Sequence, residues 1–359
     1  MKNWQQYGLM LCSAALAVVA VFCTACRLPE LHMQDAALAA AGFILPGGAK
    51  EAMEHGFASE ETTASPAPAS SSSALPPSSN APSSSSPSSA ASSAPAGALP
   101  TKTLDETVTG SIKEMSIGNS GIQYENMWVK NTNKNHTIDI PAVLSEQPAV
   151  KIKKDGSVQV LIYHTHTTEA YAGSSRTQDN SLNVVSVGEE ITKKLEAAGI
   201  GVVHDTTCHD YPSYNGSYDR SGETIQRNLE KYPGIQVTLD IHRDAMGTQD
   251  GTRIKPTVLV DGKKAAQVMI ISGCDDDGTL GFPNWEYNLR LATRLQKSMS
   301  DLYPNLARPL NFCPRKYNEH MTKGSLLVEF GTEVNTLEEA KYAGQLFGDA
   351  LVEALNQLT

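Results

Sequence analysis

Val158-Gln159-Val160-Leu161-Ile162-Tyr163-His164-Thr165-His166-Thr167-Thr168-Glu169-Ala170-Tyr171 is the stretch whose reading decides the fold. Its apolar, β-branched opening (Val158, Val160, Leu161, Ile162) is too short for a helix and suits a buried strand. Two histidines and a glutamate follow at once. Chemistry in open α/β sheets collects at the carboxyl ends of strands, so these side chains are expected at such an edge. His166 and Glu169 form an H-x-x-E pair, which offers an imidazole nitrogen and a carboxylate oxygen to one zinc ion at roughly 2.0–2.2 Å. A catalytic zinc site takes about three protein ligands and a water. The pair alone is common by chance, and its weight comes from what the rest of the chain supplies.

A second apolar strand, Val237-Thr238-Leu239-Asp240-Ile241, runs into His242-Arg243-Asp244. His242 is expected at the same sheet edge as His166 and becomes the third ligand, with Asp240 or Asp244 orienting an imidazole. A third run, Leu326-Leu327-Val328, ends in Glu329-Phe330-Gly331-Thr332-Glu333. A carboxylate at the end of an apolar strand is costly without a partner. Beside an activated water, Glu329 can take a proton and pass it to a leaving amine. A buried ion pair with an arginine or lysine is the plainer alternative, and Glu333 is a second choice of base. His164 is two residues from His166 and on a strand would share its face, as a ligand or a hydrogen-bonding neighbour. Arg243, with Arg176 and Arg220, could grip an acidic substrate or a tetrahedral oxyanion. The turn-rich Tyr211-Pro212-Ser213-Tyr214-Asn215-Gly216-Ser217-Tyr218 could be a substrate wall or a plain packed loop.

Around these tips the pattern predicts helices at Leu182–Ala198, Glu223–Lys231, Trp285–Tyr303 and Leu337–Leu358. Strands are expected at Ile200–His204, Ile235–Ile241, Thr257–Val260, Gln267–Ser272 and Ser325–Glu329, with a hairpin turn at Asp261-Gly262. The alternation implies an α/β domain over 150–359, with a mixed, mostly parallel open sheet flanked by helices. Residues 101–149 read as an extended arm or small β element, with extended signals at Gly110–Gly121 and Ile138–Pro141. His136 stands alone there as a surface residue.

The chain has 359 residues and a net charge of −10, with no basic stripe, which argues against nucleic acid as a partner. Tyr7 to Ala25 is an almost unbroken apolar run close to the ~20 residues that span a bilayer. Residues 1–27 therefore read as a cytoplasmic stub and signal anchor. A cleaved secretory signal and lipidation at Cys26 are the alternatives, and all three place the rest outside the cytoplasm. Residues 28–61 form a juxtamembrane segment. Residues 62–100 collapse to Ser, Pro and Ala, which cannot offset their ordering entropy and act as a disordered tether. Extended at about 3.1 Å per residue, that tether reaches on the order of 100 Å. Of the six cysteines, Cys208, Cys274 and Cys313 are scattered through the folded part and give no disulfide framework. Cys208 beside His209 reads as a packed thiol before a ligand or nucleophile. No G-x-S-x-G elbow follows a strand, which argues against a serine hydrolase.

Y-H-T-H-T-T-E-A-Y (163–171), H-D-Y-P-S-Y-N-G-S-Y (209–218), D-I-H-R-D-A (240–245) and V-E-F-G-T-E (328–333) together resemble the stage II sporulation protein P family. The likeness covers roughly Gln147 to Asn356, and the membrane segment and Ser/Pro tether fit the same layout. That family lies within the wider group of zinc N-acetylmuramoyl-L-alanine amidases. The resemblance implies a Zn2+ enzyme of the cell membrane that cleaves the amide between the glycan's lactyl group and the stem peptide. It also implies cutting of peptide crosslinks, a role in engulfment of the forespore, and a lytic transglycosylase partner (stage II sporulation protein D). Carried over, His242 is a ligand and Glu329 the general base. The first motif departs from the G-H-G-type turn of amidases. His164 and His166 therefore stay open as ligands, as do Glu169 and Asp179, the latter just before the helix start at Asn183. A zinc carboxypeptidase or endopeptidase acting only on wall peptides, and a non-catalytic wall-binding scaffold, are the competing readings.

Overall fold

The structure, a computed structural model, describes residues 97–358. The predicted membrane anchor, juxtamembrane segment and nearly all of the Ser/Pro/Ala tether lie outside the described residues. Among the described residues no helix is long and apolar enough to cross a membrane.

Residues 101–149 contribute five short strands and one helical turn and a half. The strands are β1 (Thr101–Thr103), β2 (Thr107–Thr109), β3 (Ile112–Met115), β4 (Ile122–Tyr124) and β5 (Met127–Asn131), followed by α1 (Ile140–Ser145). The extended signal at Ile138–Pro141 is corrected here. Asp139 accepts a hydrogen bond from Ala142 N and Pro141 sits in the first turn, so the pair starts a helix.

The quoted stretch forms β6 (Val158–Tyr163), followed by α2 (Val184–Ala197), β7 (Gly201–His204) and α3 (Ser217–Lys231). Then come β8 (Val237–Asp244), β9 (Arg253–Val260), β10 (Lys263–Ala266) and β11 (Val268–Gly273). The chain closes with α4 (Trp285–Leu302), β12 (Leu310–Cys313), a short 3-10 turn at Glu319–Met321, β13 (Ser325–Thr332) and α5 (Leu337–Asn356). α3 begins six residues earlier than its periodicity suggests, because Gly216 in the left-handed region lets the chain turn directly into a helix. The Asp261-Gly262 turn does make a hairpin, but it joins β9 to β10 rather than to β11. After Gln267 the chain leaves that hairpin and enters a different sheet as β11.

The large sheet runs β4-β5-β12-β11-β13-β8-β6-β7. Five of its seven pairings are parallel (β5/β12, β12/β11, β13/β8, β8/β6, β6/β7), and β4/β5 and β11/β13 are antiparallel. The mixed, mostly parallel α/β sheet read from the alternation is therefore the one that forms. A second, five-stranded sheet gathers β1, β2, β3 and β10 with β9.

Side chains alternate across the large sheet. Val160 and Ile162 of β6, Val237, Leu239 and Ile241 of β8, and Leu326, Val328 and Phe330 of β13 bury into the core shared with α2, α4 and α5. Each such side chain contributes about 1.5–3 kcal/mol. Leu161 and Tyr163 face the other way, onto Ile225 of α3. Asp240, His242 and Glu329 alternate with these core residues and so share the face opposite the main core.

Candidate active site

β8 and β13 lie side by side and parallel, with Glu329 register partner to His242. The ladder then breaks between Glu329 and Thr332. Gly331 makes that break possible: its φ is +65°, and a Cβ there would sit 2.5 Å from Asn335 Oδ1 and 2.8 Å from Ala266 Cβ. The carboxylate ends where regular pairing stops.

The first motif is built differently from its expectation. β6 ends at Tyr163, so strand alternation does not reach the two histidines and they diverge. His164 turns toward α2. Its Nδ1 is 3.0 Å from Ile241 O and its Nε2 2.9 Å from His204 Nε2, and a Cβ on Gly188 of α2 would come within 3.0 Å of its ring. Burial, then the neighbouring His204, hold its pKa well below the usual value. The shared face expected for the pair is thus corrected. His166 turns to the opposite side, where its ring lies 5.3 Å from that of His242 at 88°. Tyr214 stacks on it at 4.3 Å and 7°, and Tyr218 meets it edge-on at 5.6 Å. The tyrosine loop and the start of α3 therefore wall the histidine.

Glu169 joins the same spot. Its Oε2 is 3.4 Å from His242 Nδ1 and accepts a hydrogen bond from Arg243 N at 3.1 Å. On the other edge of the ring, His242 Nε2 stands 2.9 Å from Asp240 Oδ1, though off the angle of a well-formed hydrogen bond. Burial opposes charge on both Glu169 and His242. For Glu169 the His242 contact outweighs it and holds the carboxylate well below its usual range; for His242 the neighbouring Asp240, then Glu169, outweigh it and hold the ring well above the histidine range. Glu329 behaves in the opposite way. Burial, then the neighbouring Asp244, push it up to about 8. Its Oε2 is buried with no hydrogen-bond partner among the described residues. Asp244 is taken up by Arg308 at 2.8 Å, so it is not free to serve Glu329's role. Glu333, the second choice of base, is likewise raised by burial and has an unpartnered Oε2.

Three expectations find other surroundings. Asp179 is exposed, and its Oδ1 accepts from Ser181 N and Oγ at 2.9 and 2.7 Å, so it caps a turn. Arg243 is buried and its guanidinium donates to Ala170 O at 3.0 Å, Ser175 O at 2.9 Å and Asp244 O at 3.4 Å. That geometry makes it a brace under the loop carrying Glu169 rather than a free grip. Cys208 is exposed, not packed.

The residues that hold this turn were expected in other roles, Asp240 orienting an imidazole and Arg176 gripping a substrate, or, as with His209 and Asp210, only as part of a motif. Asp210 accepts from Thr168 N, from Thr168 Oγ1 at 2.7 Å and from Arg176 Nη1 at 2.8 Å. Thr165 N and Oγ1 donate to Asp240 at 2.8 and 2.6 Å, and His209 Nδ1 lies 2.7 Å from His164 O. The signal was the His209-Asp210 pair heading the tyrosine loop.

The donor set suits zinc: an anionic carboxylate against an imidazole, a second imidazole at right angles, and an unpartnered buried carboxylate oxygen on the next strand. Fold and site together define a mixed α/β protein with a buried histidine–carboxylate centre at the tips of its parallel strands. The chain belongs to the stage II sporulation protein P family, whose family model matches residues 81–352. It is 31% identical over 214 residues to stage II sporulation protein P of Bacillus subtilis (strain 168), an alignment that covers 54% of this chain and 50% of that protein. The chain thus spans about half the length of that curated relative. Among solved structures it is similar to the N-acetylmuramoyl-L-alanine amidase AmiC2 of Nostoc punctiforme, with TM-score 0.36 and 12% identity over 57% of this chain and 97% of that one. It is also similar to the CwlD amidase from Clostridioides difficile in complex with the GerS lipoprotein, with TM-score 0.34 and 10% identity over 56% of this chain and 98% of that one.

Proposed function

We propose that this chain is a zinc-dependent peptidoglycan hydrolase that cleaves the N-acetylmuramoyl-L-alanine amide, and peptide crosslinks as a second activity, during sporulation. The observation that carries the reading is the Glu169–His242 contact at 3.4 Å, with the His166 ring 5.3 Å from that of His242 and the unpartnered Oε2 of Glu329 at the register-paired position of the next strand. His166, Glu169 and His242 would hold the metal. A bound zinc ion supplies Lewis-acid polarisation of the scissile carbonyl and lowers the pKa of an attacking water. Glu169 stays anionic because His242 and the Arg243 N–H stabilise its charge against burial. Tyr214 and Tyr218 fix the plane of the His166 ring. Glu329 accepts the proton of the water as it attacks, then delivers it to the departing alanine nitrogen. Its raised pKa suits a group that must both take and give a proton near neutral pH.

The family's sporulation role supports placement at the engulfing membrane, with residues 1–27 as anchor, residues 62–100 as tether and stage II sporulation protein D as partner. The test digests purified peptidoglycan with the full chain and identifies the new ends. Free lactyl carboxyls paired with new alanine amines, lost on chelation and restored by zinc, support the reading. Peptide amines alone would make it an endopeptidase, and no released fragments under any metal would make it a binding scaffold.

A further inference from the structure

His136 reads from the sequence as an isolated surface residue. In the fold its ring nitrogen, Cys274 Sγ and an Asp276 carboxylate oxygen all lie within 4.8 Å of one another. The three come from two distant segments: the loop after β5, and the chain just past the end of β11. β11 runs antiparallel to β13, with Val268 beside Phe330 and Ile271 beside Leu327. Its continuation at Cys274 therefore heads away from Glu329, toward the opposite edge of the sheet. This cluster is separate from the candidate active site.

Each group is positioned by contacts of its own. Asp276 Oδ2 accepts from Lys134 N at 3.0 Å and, more weakly, from Asn135 Nδ2 at 3.5 Å, and Oδ1 accepts from Asn135 N at 2.9 Å. His136 O accepts from Asn131 Nδ2 at 2.8 Å, and the His136 ring rests against Trp285 at 4.8 Å. Cys274 is fully buried, and its N donates to Cys313 O at 2.9 Å. Tetrahedral zinc with bonds of about 2.0–2.3 Å sets adjacent donor atoms about 3.3–3.8 Å apart. Closing from 4.8 Å takes a small rotation of the half-buried His136 and Asp276 side chains. Thiolate and imidazole together select zinc over magnesium or calcium.

We propose that His136, Cys274 and Asp276 form a second zinc site, with water as fourth ligand, that staples the loop at 131–136 to the end of β11. As the zinc–sulfur bond forms, the Cys274 thiol gives its proton to solvent. The test loads the metal-free full chain with cobalt alone and reads the thiolate-to-cobalt charge-transfer absorption in the near ultraviolet. The band is expected in the wild type and in His242→Ala, and absent in Cys274→Ser and His136→Ala. Zinc counted by mass spectrometry should fall by one per chain in His136→Ala. His136→Ala alters a half-buried loop side chain, so it carries the test where Cys274→Ser does not fold. A wild type with no thiolate band overturns the proposal, as does a band that survives in either variant. Retention in His242→Ala separates this site from the fate of the hydrolase reading.

Discussion

Glu329→Gln isolates the proton-transfer step from metal binding. The amide matches the carboxylate in volume, and the half-buried position on β13 gives it the same neighbours. Glu329 Oε2 has no hydrogen-bond partner among the described residues, so the substitution breaks no bond that supports the fold. His166, Glu169 and His242 are untouched, and zinc stoichiometry should stay at the wild-type level. Neither Asp244 nor Glu169 can take over the proton. Asp244 is locked to Arg308 at 2.8 Å, and Glu169 is held ionised by His242 at 3.4 Å. The full contribution of a general base is therefore lost, a fall in kcat of about 10²–10⁴. At about 1.36 kcal/mol per decade, that is about 2.7–5.4 kcal/mol of barrier. The assay follows release of stem peptides from purified wall by zinc-loaded enzyme, with bound metal measured on the same sample. Turnover within a few fold of wild type would refute the reasoning and move the role to Glu333. Loss of zinc in step with activity would place Glu329 among the ligands instead.

His242→Ala should abolish turnover and zinc binding at the candidate active site together. In the metal-free protein it also strands Glu169 and Asp240 without their cation, a cost of about 3–5 kcal/mol visible in urea unfolding. Arg243→Ala separates brace from grip. Loss of its bonds to Ala170 O and Ser175 O should destabilise by about 1–3 kcal/mol and lower kcat with KM little changed, whereas a rise in KM alone would restore the substrate-gripping role. Glu319 is buried, and burial raises its pKa well above the carboxylate value. Because the folded value is the raised one, the stability tied to it is complete below the ordinary carboxylate range and drains away as pH rises through the folded value. Glu319→Gln should flatten the alkaline side of the stability–pH curve, and parallel curves for the two proteins would contradict that assignment.

Much of this protein was legible in the residues themselves. The runs at 158–163, 237–241 and 325–328 are apolar over a strand's length, and only a sheet covered on both faces buries them, so the α/β class followed. That His242 and Glu329 would end neighbouring strand tips was readable for the same reason, since a polar group closing an apolar strand has few places to go. The first motif was not readable at this level. Whether His164 and His166 share a face depends on where β6 stops, and that is set by the tertiary partners of the turn: Asp210 on Thr168, Asp240 on Thr165, His204 on His164. The path of β11 into the large sheet and the meeting of His136 with Cys274 were equally hidden. Pattern along a chain reports which face of an element is apolar, a local property. Which distant segments share an edge is decided by the packing of whole elements, and only the tertiary structure records it.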